Sequence, residues 1–261
     1  VKLRACLQRE MQNASEQPSA WFQLANATEA LCRHFALNDL SPLGLSDEYK
    51  AGASAAGALM RYLSETQKNA LEHMTSLRIY QGSETMLLDR NTRRNLELTE
   101  SIRGRSRKGS LLWLLDKTST AMGGRLLRSW IEQPLVDEAK INRRLDAVGE
   151  FAQEHVLTMT LAEELQGVYD IERLLSKVAY KSMNARDCLS LCASLQKVPK
   201  IRELLREAKS QAVEEIRDSL DTLPELTDLL TRAIHPDAPI LITEGGIIRD
   251  GYSQMLDEYR A

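Results

Sequence analysis

Apolar residues recur at three- and four-residue intervals through most of the chain after Leu98. This spacing is repeated in the segments 122–131, 141–148, 157–165, 171–178, 188–205, 213–220 and 226–230. Such intervals place the apolar side chains on one face of an amphipathic helix. The stripes do not repeat with a fixed period of about 30 to 45 residues, which argues against a regular solenoid. The pattern therefore predicts a mainly α protein built as an irregular multi-helix array.

The first third of the chain has a more mixed pattern. The alanine-rich run from Ala53 to Leu71 predicts a helix, and the small residues at its start would let another element approach closely. Two short apolar runs follow, SLRIY at 76–80 and TMLLD at 85–89, separated by four residues that include Gly82. This spacing predicts a short β-hairpin. The segment 239–251 predicts an irregular piece before a last helix that begins near Tyr252.

Composition supports a helical protein and excludes several classes. Glycine and proline together account for 20 of 261 residues and aromatic residues for 5%, which is too little for a many-turned sandwich or barrel. The net charge of -3 provides no overall field to attract nucleic acid or an anionic membrane. No uninterrupted apolar run reaches about 18 residues, so the sequence predicts no membrane span.

The sequence shows no catalytic or metal-binding pattern. Its cysteines lie in two distant groups without CxxC spacing and its histidines are scattered, so neither a disulfide framework nor a metal site is expected. The cysteines are Cys6, Cys32, Cys188 and Cys192. The last two are four residues apart, and we interpret them as small buried residues rather than as metal ligands. The segment from Gly104 to Gly109 has the glycine spacing of a phosphate-binding loop, but Ser110 and Leu111 replace the required Lys and Ser/Thr.

A basic segment from Asp89 to Lys108 contains seven basic and three acidic residues. Its loop Arg103–Lys108 allows three interpretations: a solvated loop whose arginines pair with neighbouring carboxylates, a phosphate-backbone contact through Arg105, Arg107 and Lys108, or a surface where domains dock. The segment lacks aromatic residues, so base stacking is not expected. Trp113 and Trp130 lie in the most apolar stretch of the chain and are predicted to be core residues.

Two long motifs carry a resemblance to a known family. They are MLLDRNTRRNLELTES at 86–101 and SLLWLLDKTSTAMGGRLLRSWIEQPL at 110–135. AAGALMRYLSETQ at 55–67, GVYDIERLLSKVA at 167–179 and EGGIIRDGYSQMLDEYR at 244–260 occur in the matching order. Together these segments resemble the core region of the MutS DNA mismatch-repair family, bacterial type. The motif residues that we expect to act in structural or interdomain contacts are Asp89, Thr92, Arg93, Asn95, Glu97, Asp116, Thr120, Gly123, Arg125 and Trp130.

The resemblance implies a domain organisation. Residues 1–52 resemble the C-terminal part of an α/β connector domain, and residues 53–72 resemble the junction helix. Residues 73–261 resemble the first half of the core, or lever, domain, ending before the clamp insertion. We read Arg93 and Glu97 as a pair on one helix, four residues apart.

The resemblance also implies a function. Such a segment would link the mismatch-binding and clamp regions of an ATP-dependent mismatch sensor to its ATPase domain, without binding a nucleotide or metal itself. ATP and Mg would belong to the ATPase domain of the parent, a DNA-dependent ATPase. The implied partners are mismatched duplex DNA, the other MutS domains, a second copy in a homodimer and MutL, with no membrane. The implied location is the bacterial cytoplasm, on the nucleoid when DNA is bound.

Two alternatives stay open alongside that function. In the first, the chain is a stand-alone helical protein-interaction module that shares ancestry with such cores. In the second, it is a weak, non-specific DNA-backbone binder that uses the loop 103–108.

Overall fold

The computed structural model describes residues 17–66, 71, 74–77, 79 and 84–260. The chain divides into two compact units, Val1–Tyr80 and Gln81–Ala261. In the first unit, a 3₁₀ turn at Ser19–Phe22 leads into helix α1, Leu24–Phe35. Two further 3₁₀ turns, Ser41–Leu43 and Asp47–Tyr49, precede helix α2, Lys50–Thr66.

Helices α1 and α2 pack at very short range because two small residues face each other. A Cβ atom added to Gly57 would lie 2.4 Å from the Cα atom of Ala27. Leu31 of α1, which is fully buried, and Ala53 and Met60 of α2 form the centre of the core of this unit. The close approach predicted from the alanine-rich run is therefore confirmed. Helix α2 begins at Lys50 rather than Ala53, and residues 67–70, 72 and 73 of the predicted junction helix lie outside the described residues.

The second unit is a succession of helices, most of them joined by short connections, with longer ones before the helices that begin at Leu111 and Gln254. They are α3 (Arg90–Asn95), α4 (Leu111–Leu115), α5 (Ala121–Glu132), α6 (Glu138–Gln153), α7 (His155–Gln166), α8 (Ile171–Ala179), α9 (Ala185–Leu204), α10 (Gln211–Ser219), α11 (Pro224–Ala233) and α12 (Gln254–Arg260). The mainly α, irregular array predicted from the apolar stripes is confirmed. The segment 239–251 contains a 3₁₀ turn at Ile242–Glu244 and otherwise has no helix, as expected.

Several of these helices begin at a residue whose side chain caps the first turn. Ser110, Asp137 and Asp170 each accept a hydrogen bond from the backbone N–H three residues later. Asn184 and Asp187 form a reciprocal capping box at the start of α9. These caps satisfy backbone donors that have no partner within the helix, and so they set where each helix begins.

The apolar core of the second unit lies in its later helices. One cluster forms around Ile201, Leu205 and Val213, and another around Leu174, Leu191 and Leu195. The long helix α9 contributes Ile201 to the first cluster and two leucines to the second, so it takes part in both clusters. Neither cluster includes a residue of the motif segments 86–101 and 110–135.

The predicted β-hairpin is not shown. Residues 78 and 80–83 of that prediction lie outside the described residues. Thr85, in the proposed second strand, instead forms an antiparallel bridge with Leu135. The backbone N–H of Met86 donates to the carbonyl of Pro134 at 2.8 Å. Thr85 and Met86 therefore pair with a segment about 50 residues later in the sequence. No helix among the described residues is long and apolar enough to span a membrane.

Candidate functional site

Two of the motif residues are helix caps. The carboxylate of Asp89 accepts a hydrogen bond from the backbone N–H of Thr92 at 2.6 Å, at the start of α3. The Thr120 hydroxyl accepts one from the backbone N–H of Gly123 at 3.0 Å, at the start of α5. Hydrogen bonds from Thr92 also lower the pKa of Asp89. These side chains fix the geometry of the chain, and neither contact has the form of a catalytic pair.

The predicted pairing of Arg93 with Glu97 on one helix is wrong. Helix α3 ends at Asn95, and Glu97 has a φ of 48°, in the left-handed region that ends helices. The Glu97 carboxylate accepts the backbone N–H of Ile102 at 2.6 Å. The Nε of Arg93 donates to the carbonyl of Leu88 at 3.0 Å. Each side chain therefore satisfies a nearby backbone group instead of the other.

Asp116 lies at the centre of a polar network beside α5. Its carboxylate forms a salt bridge with Arg107 and accepts hydrogen bonds from the hydroxyl of Thr118 at 2.7 Å and from the backbone N–H of the same residue at 3.1 Å. These contacts, led by the hydroxyl of Thr118, lower the pKa of Asp116. Arg107, a candidate phosphate contact, is therefore already paired with a carboxylate of its own chain.

The glycines at the start of α5 allow this network to approach the helix. A Cβ atom at Gly123 would lie 3.4 Å from the Cβ of Thr118, and one at Gly124 would lie 3.3 Å from its hydroxyl oxygen. Within the described residues, the atoms nearest to these two glycines belong to the turn that connects α4 to α5.

Arg125 joins the motif segment to the later helices. Its Nη1 and Nη2 atoms donate to the two carboxylate oxygens of Asp170 at 2.8 and 2.7 Å. Nη2 and Nε also donate to Glu172, at 2.6 and 3.1 Å. The guanidinium lowers the pKa of Asp170, and the two carboxylates raise the pKa of Arg125. Because Asp170 also caps α8, one arginine links the second turn of α5 to the first turn of α8.

The prediction that Trp113 and Trp130 are core residues is wrong in this structure. Trp113 is 47% exposed and Trp130 is 40% exposed. The guanidinium carbon of Arg144 lies 3.8 Å from the centre of the Trp130 ring, which is a cation–π contact. The Trp130 ring on α5 therefore contacts a cationic side chain and remains partly open to solvent. Neighbouring Leu114 and Leu126 are also more than half exposed, so the motif helices present a substantial apolar surface.

The structure separates the three residues proposed for phosphate contact. Arg105 and Arg107 line one groove with the start of α5, whereas Lys108 lines a different hollow beside Arg103. Of the three, Arg107 is the one with a salt bridge to a carboxylate. The interpretation in which loop arginines pair with neighbouring carboxylates therefore holds for Arg107.

The described cysteines have ordinary surroundings. Cys192 is buried with its Sγ 3.4 Å from the hydroxyl of Thr231, and burial raises the pKa of Cys188. Cys6 lies outside the described residues. Across the described residues, no group of three or more His, Cys, Asp or Glu side chains is arranged to hold a metal ion.

Comparison with known protein families covers the segments that contain these motif residues. The family model of MutS domain III matches residues 91–260, and that of MutS domain II matches residues 3–75. The chain belongs to the MutS family. The DNA mismatch repair protein MutS of Symbiobacterium thermophilum is 45% identical over 239 residues, which are 92% of this chain and 27% of the relative.

Other MutS proteins show the same partial coverage. The DNA mismatch repair protein MutS of Lachnoclostridium phytofermentans is 42% identical over 92% of this chain and 26% of its own length. That of Listeria monocytogenes is 48% identical over 79% of this chain and 24% of its own length. The chain thus spans about a quarter of the length of the curated MutS relatives that it matches.

Sequence reasoning missed the partners of the MutS motif residues. Asp170 and Glu172 lie in a quoted motif, GVYDIERLLSKVA, but nothing in the sequence indicates that Arg125 reaches them from 45 and 47 residues away. Thr118 and Arg144 were also not identified. The short polar run DKTST was a signal for Thr118, because Asp, Ser and Thr often bond to nearby backbone groups at helix starts.

Proposed function

We propose that this chain is a transmission segment of an ATP-dependent DNA mismatch-recognition protein, joining the mismatch-binding and clamp regions to an ATPase domain. The observation that carries the proposal is the four-bond contact of Arg125 with Asp170 and Glu172. It mechanically couples a motif helix to the helical array, and it offers no group that would react with a ligand. The names of the relatives, DNA mismatch repair protein MutS, supply the process.

The exposed apolar surface of α4 and α5 supports the same proposal. Leu114 is 63% exposed and Leu126 is 53% exposed, next to the two exposed tryptophans. Apolar surface of this kind is typical of regions that pack against other protein parts. In a protein about four times as long, the other MutS domains are the natural partners for it. A homodimer, MutL and mismatched duplex DNA are the further partners that we propose for the parent, in the bacterial cytoplasm.

Transmission requires that the segment has at least two discrete arrangements. Events at the mismatch-binding site and at the ATPase site must each shift the balance between these arrangements. In a full-length protein that carries this segment, Arg125→Ala should leave mismatch binding and basal ATP hydrolysis in place. The stimulation of ATP hydrolysis by mismatched DNA should fall. Arg128→Ala is the matched control, because Arg128 lies on the same helix and pairs with Glu132 within it. Unchanged stimulation in the Arg125 variant would refute the proposed role.

Two further measurements test this proposal, and the first of them separates it from a stand-alone interaction module. Sequencing the gene on both sides of the segment should find an ATPase motif downstream and a mismatch-recognition region upstream. The 261-residue chain by itself should neither hydrolyse ATP nor prefer mismatched over matched DNA. Stop codons at both ends of the segment, or mismatch preference in the isolated chain, would contradict the proposal.

A further inference from the structure

A groove between helix α3 and the loop 99–105 concentrates positive charge. Its volume is about 720 Å³, and its lining includes Arg90, Arg93, Arg94 and Arg105. Glu100 is the one carboxylate among its ten lining residues. The groove therefore has an excess of three positive charges. This local excess contrasts with the net charge of -3 for the whole chain.

The wall formed by α3 has a fixed geometry. The Asp89 side chain caps the helix, and the Nε of Arg93 donates to the carbonyl of Leu88 at 3.0 Å. That hydrogen bond holds the guanidinium of Arg93 in place in the lining of the groove. An anchored guanidinium loses less side-chain entropy on binding an anion than a freely rotating one does.

The loop 99–105, which forms the opposite wall, is held together by hydrogen bonds within the segment 97–106. The backbone N–H of Ser101 donates to the carbonyl of Ser106 at 2.9 Å, and the Ser101 hydroxyl donates to the carbonyl of Arg103 at 2.8 Å. At the base of this wall, Glu97 accepts the backbone N–H of Ile102 at 2.6 Å. Arg105 has a φ of 48°, so the backbone reverses at the residue that lines the groove. The loop is thus a compact turn that holds Arg105 opposite α3.

Two acidic residues of the segment 89–108 bond to backbone groups and do not line the groove. Asp89 bonds to the backbone of Thr92, and Glu97 bonds to the backbone of Ile102. Neither of them lines the groove. Among the residues that line the groove, four arginines therefore face one carboxylate, Glu100. Charged clefts of one sign attract ligands of the opposite sign and raise their local concentration.

The chemistry of the lining identifies the class of ligand. Arginine guanidinium groups match the geometry of phosphate oxygens through paired N–H donors. Asn91 and Thr99 add further hydrogen-bond donors, and no aromatic side chain lines the groove. Without aromatic platforms, a site cannot hold unstacked bases, so single strands are disfavoured. Contacts to a duplex backbone require only the donors that are present.

We propose that this arginine groove binds the phosphate backbone of duplex DNA without reading its sequence. The site shares Arg105 with the loop 103–108 but not the other two candidate contacts of that loop, since Arg107 is paired with Asp116 and Lys108 lines another hollow. It also stands independently of the proposed transmission role, because backbone binding needs no second conformation of the helices.

The test measures the salt dependence of DNA binding by the 261-residue chain. The probe is a fluorescein-labelled matched duplex of about 20 base pairs, and anisotropy gives the affinity between about 50 and 200 mM salt. Each phosphate contact contributes about 0.9 to the slope of log affinity against log salt. The double variant Arg94→Ala/Arg105→Ala should therefore lower the magnitude of the slope by about two and weaken binding at low salt.

The control variant Arg103→Ala/Lys108→Ala removes the same charge from the hollow on the other side of the loop. It should keep the slope of the unsubstituted chain. Arg94→Lys/Arg105→Lys should keep most of the slope as well, and circular dichroism verifies that every variant retains its helices. An equal loss of slope in both alanine variants, or no loss in either, overturns the proposal.

Three competitors identify the ligand class. An unlabelled matched duplex should displace the probe, and a mismatched duplex should displace it equally well, because the groove does not read bases. Poly-glutamate of equal charge should compete much more weakly, since carboxylates lack the geometry and charge density of phosphates. Poly-glutamate that competes as well as DNA would overturn the proposal and indicate a surface for an acidic protein. A mismatch preference that survives in the Arg94→Ala/Arg105→Ala variant would contradict the transmission proposal and leave this one standing.

Discussion

Replacing Gly57 by alanine should destabilise the first unit, although the same change stabilises most helices. Gly57 lies within α2, opposite Ala27 of α1. An added Cβ atom would lie 2.4 Å from both the Cα atom and the carbonyl oxygen of Ala27, and 2.5 Å from its Cβ. Two of these atoms belong to the backbone, so no side-chain rotation can relieve the overlap. The two helices must move apart.

The expected size of the effect follows from two opposing contributions. The higher helix propensity of alanine would raise the free energy of unfolding by about 1 kcal/mol. Overpacking of a well-packed contact costs about 1–3 kcal/mol, and overlap with backbone atoms calls for the upper end. Ala27 is 1% exposed and Leu31 is fully buried, so moving the helices apart would disrupt contacts in the core of this unit. We expect a net loss of about 2 kcal/mol.

Gly52→Ala is the matched control, because Gly52 lies on the same helix and a Cβ atom there would have no heavy atom within 4 Å. It should raise the free energy of unfolding by about 0.5–1 kcal/mol. Urea titration followed by Trp21 fluorescence measures both changes, in a background where Trp113 and Trp130 are phenylalanine. Trp21 lies 5.7 Å from the guanidinium of Arg61 on α2, so it reports on this unit. Stabilisation of similar size in both variants would refute the close approach.

Three further predictions concern the second unit. Trp130→Ala should cost less than about 2 kcal/mol in a urea titration, below the 3–5 kcal/mol typical of a buried tryptophan, because Trp130 is 40% exposed; a core-sized loss would contradict the open position. Ser194→Ala should cost about 1–3 kcal/mol, because the buried hydroxyl accepts the backbone N–H of Tyr169 at 3.0 Å; a neutral result would mean that this N–H finds another partner. Arg125 lowers the pKa of Asp170, so the stabilisation of the fold by this ion pair should be complete above the unfolded pKa of 3.8. It should be lost as the pH falls through the lower folded pKa of Asp170. Urea midpoints below pH 4 should therefore drop less in an Arg125→Ala variant, and equal drops would contradict the pairing.

The apolar pattern was sufficient to predict the helices and one helix–helix contact. The stripes 171–178 and 188–205 contain Leu174, Leu191 and Leu195, which the structure buries together, because one-sided apolar spacing survives in the folded helix. The run of small residues around Gly57 indicated a close approach, which Ala27 provides. The apolar stripes and the run of small residues are local patterns, and so they can be read from the sequence, although the partners that they contact cannot.

Features that depend on distant partners could not be predicted in this way. Trp130 lies on an apolar stripe, but a stripe does not indicate whether another element covers it. The pairing of Arg93 with Glu97 assumed that α3 continued, whereas the backbone turns into the left-handed region at Glu97. The hairpin assumed local pairing, whereas Thr85 pairs with Leu135, 50 residues later in the sequence. In each case a tertiary contact or a helix end overrode a local pattern.

The division between the apolar clusters and the motif segments has a mechanical consequence. Close-packed apolar clusters such as the one around Ile201, Leu205 and Val213 resist small displacements, because interiors deform only by repacking. The motif helix α5 is instead held to α8 by exposed charged groups at Arg125, which can exchange partners at a small cost in free energy. A force applied to this unit should therefore move α5 relative to a rigid helical array before it disturbs the array. Such a division into a rigid body and a polar joint suits the transmission role that we propose, and the joint at Arg125, Asp170 and Glu172 lies within the range that matches MutS domain III.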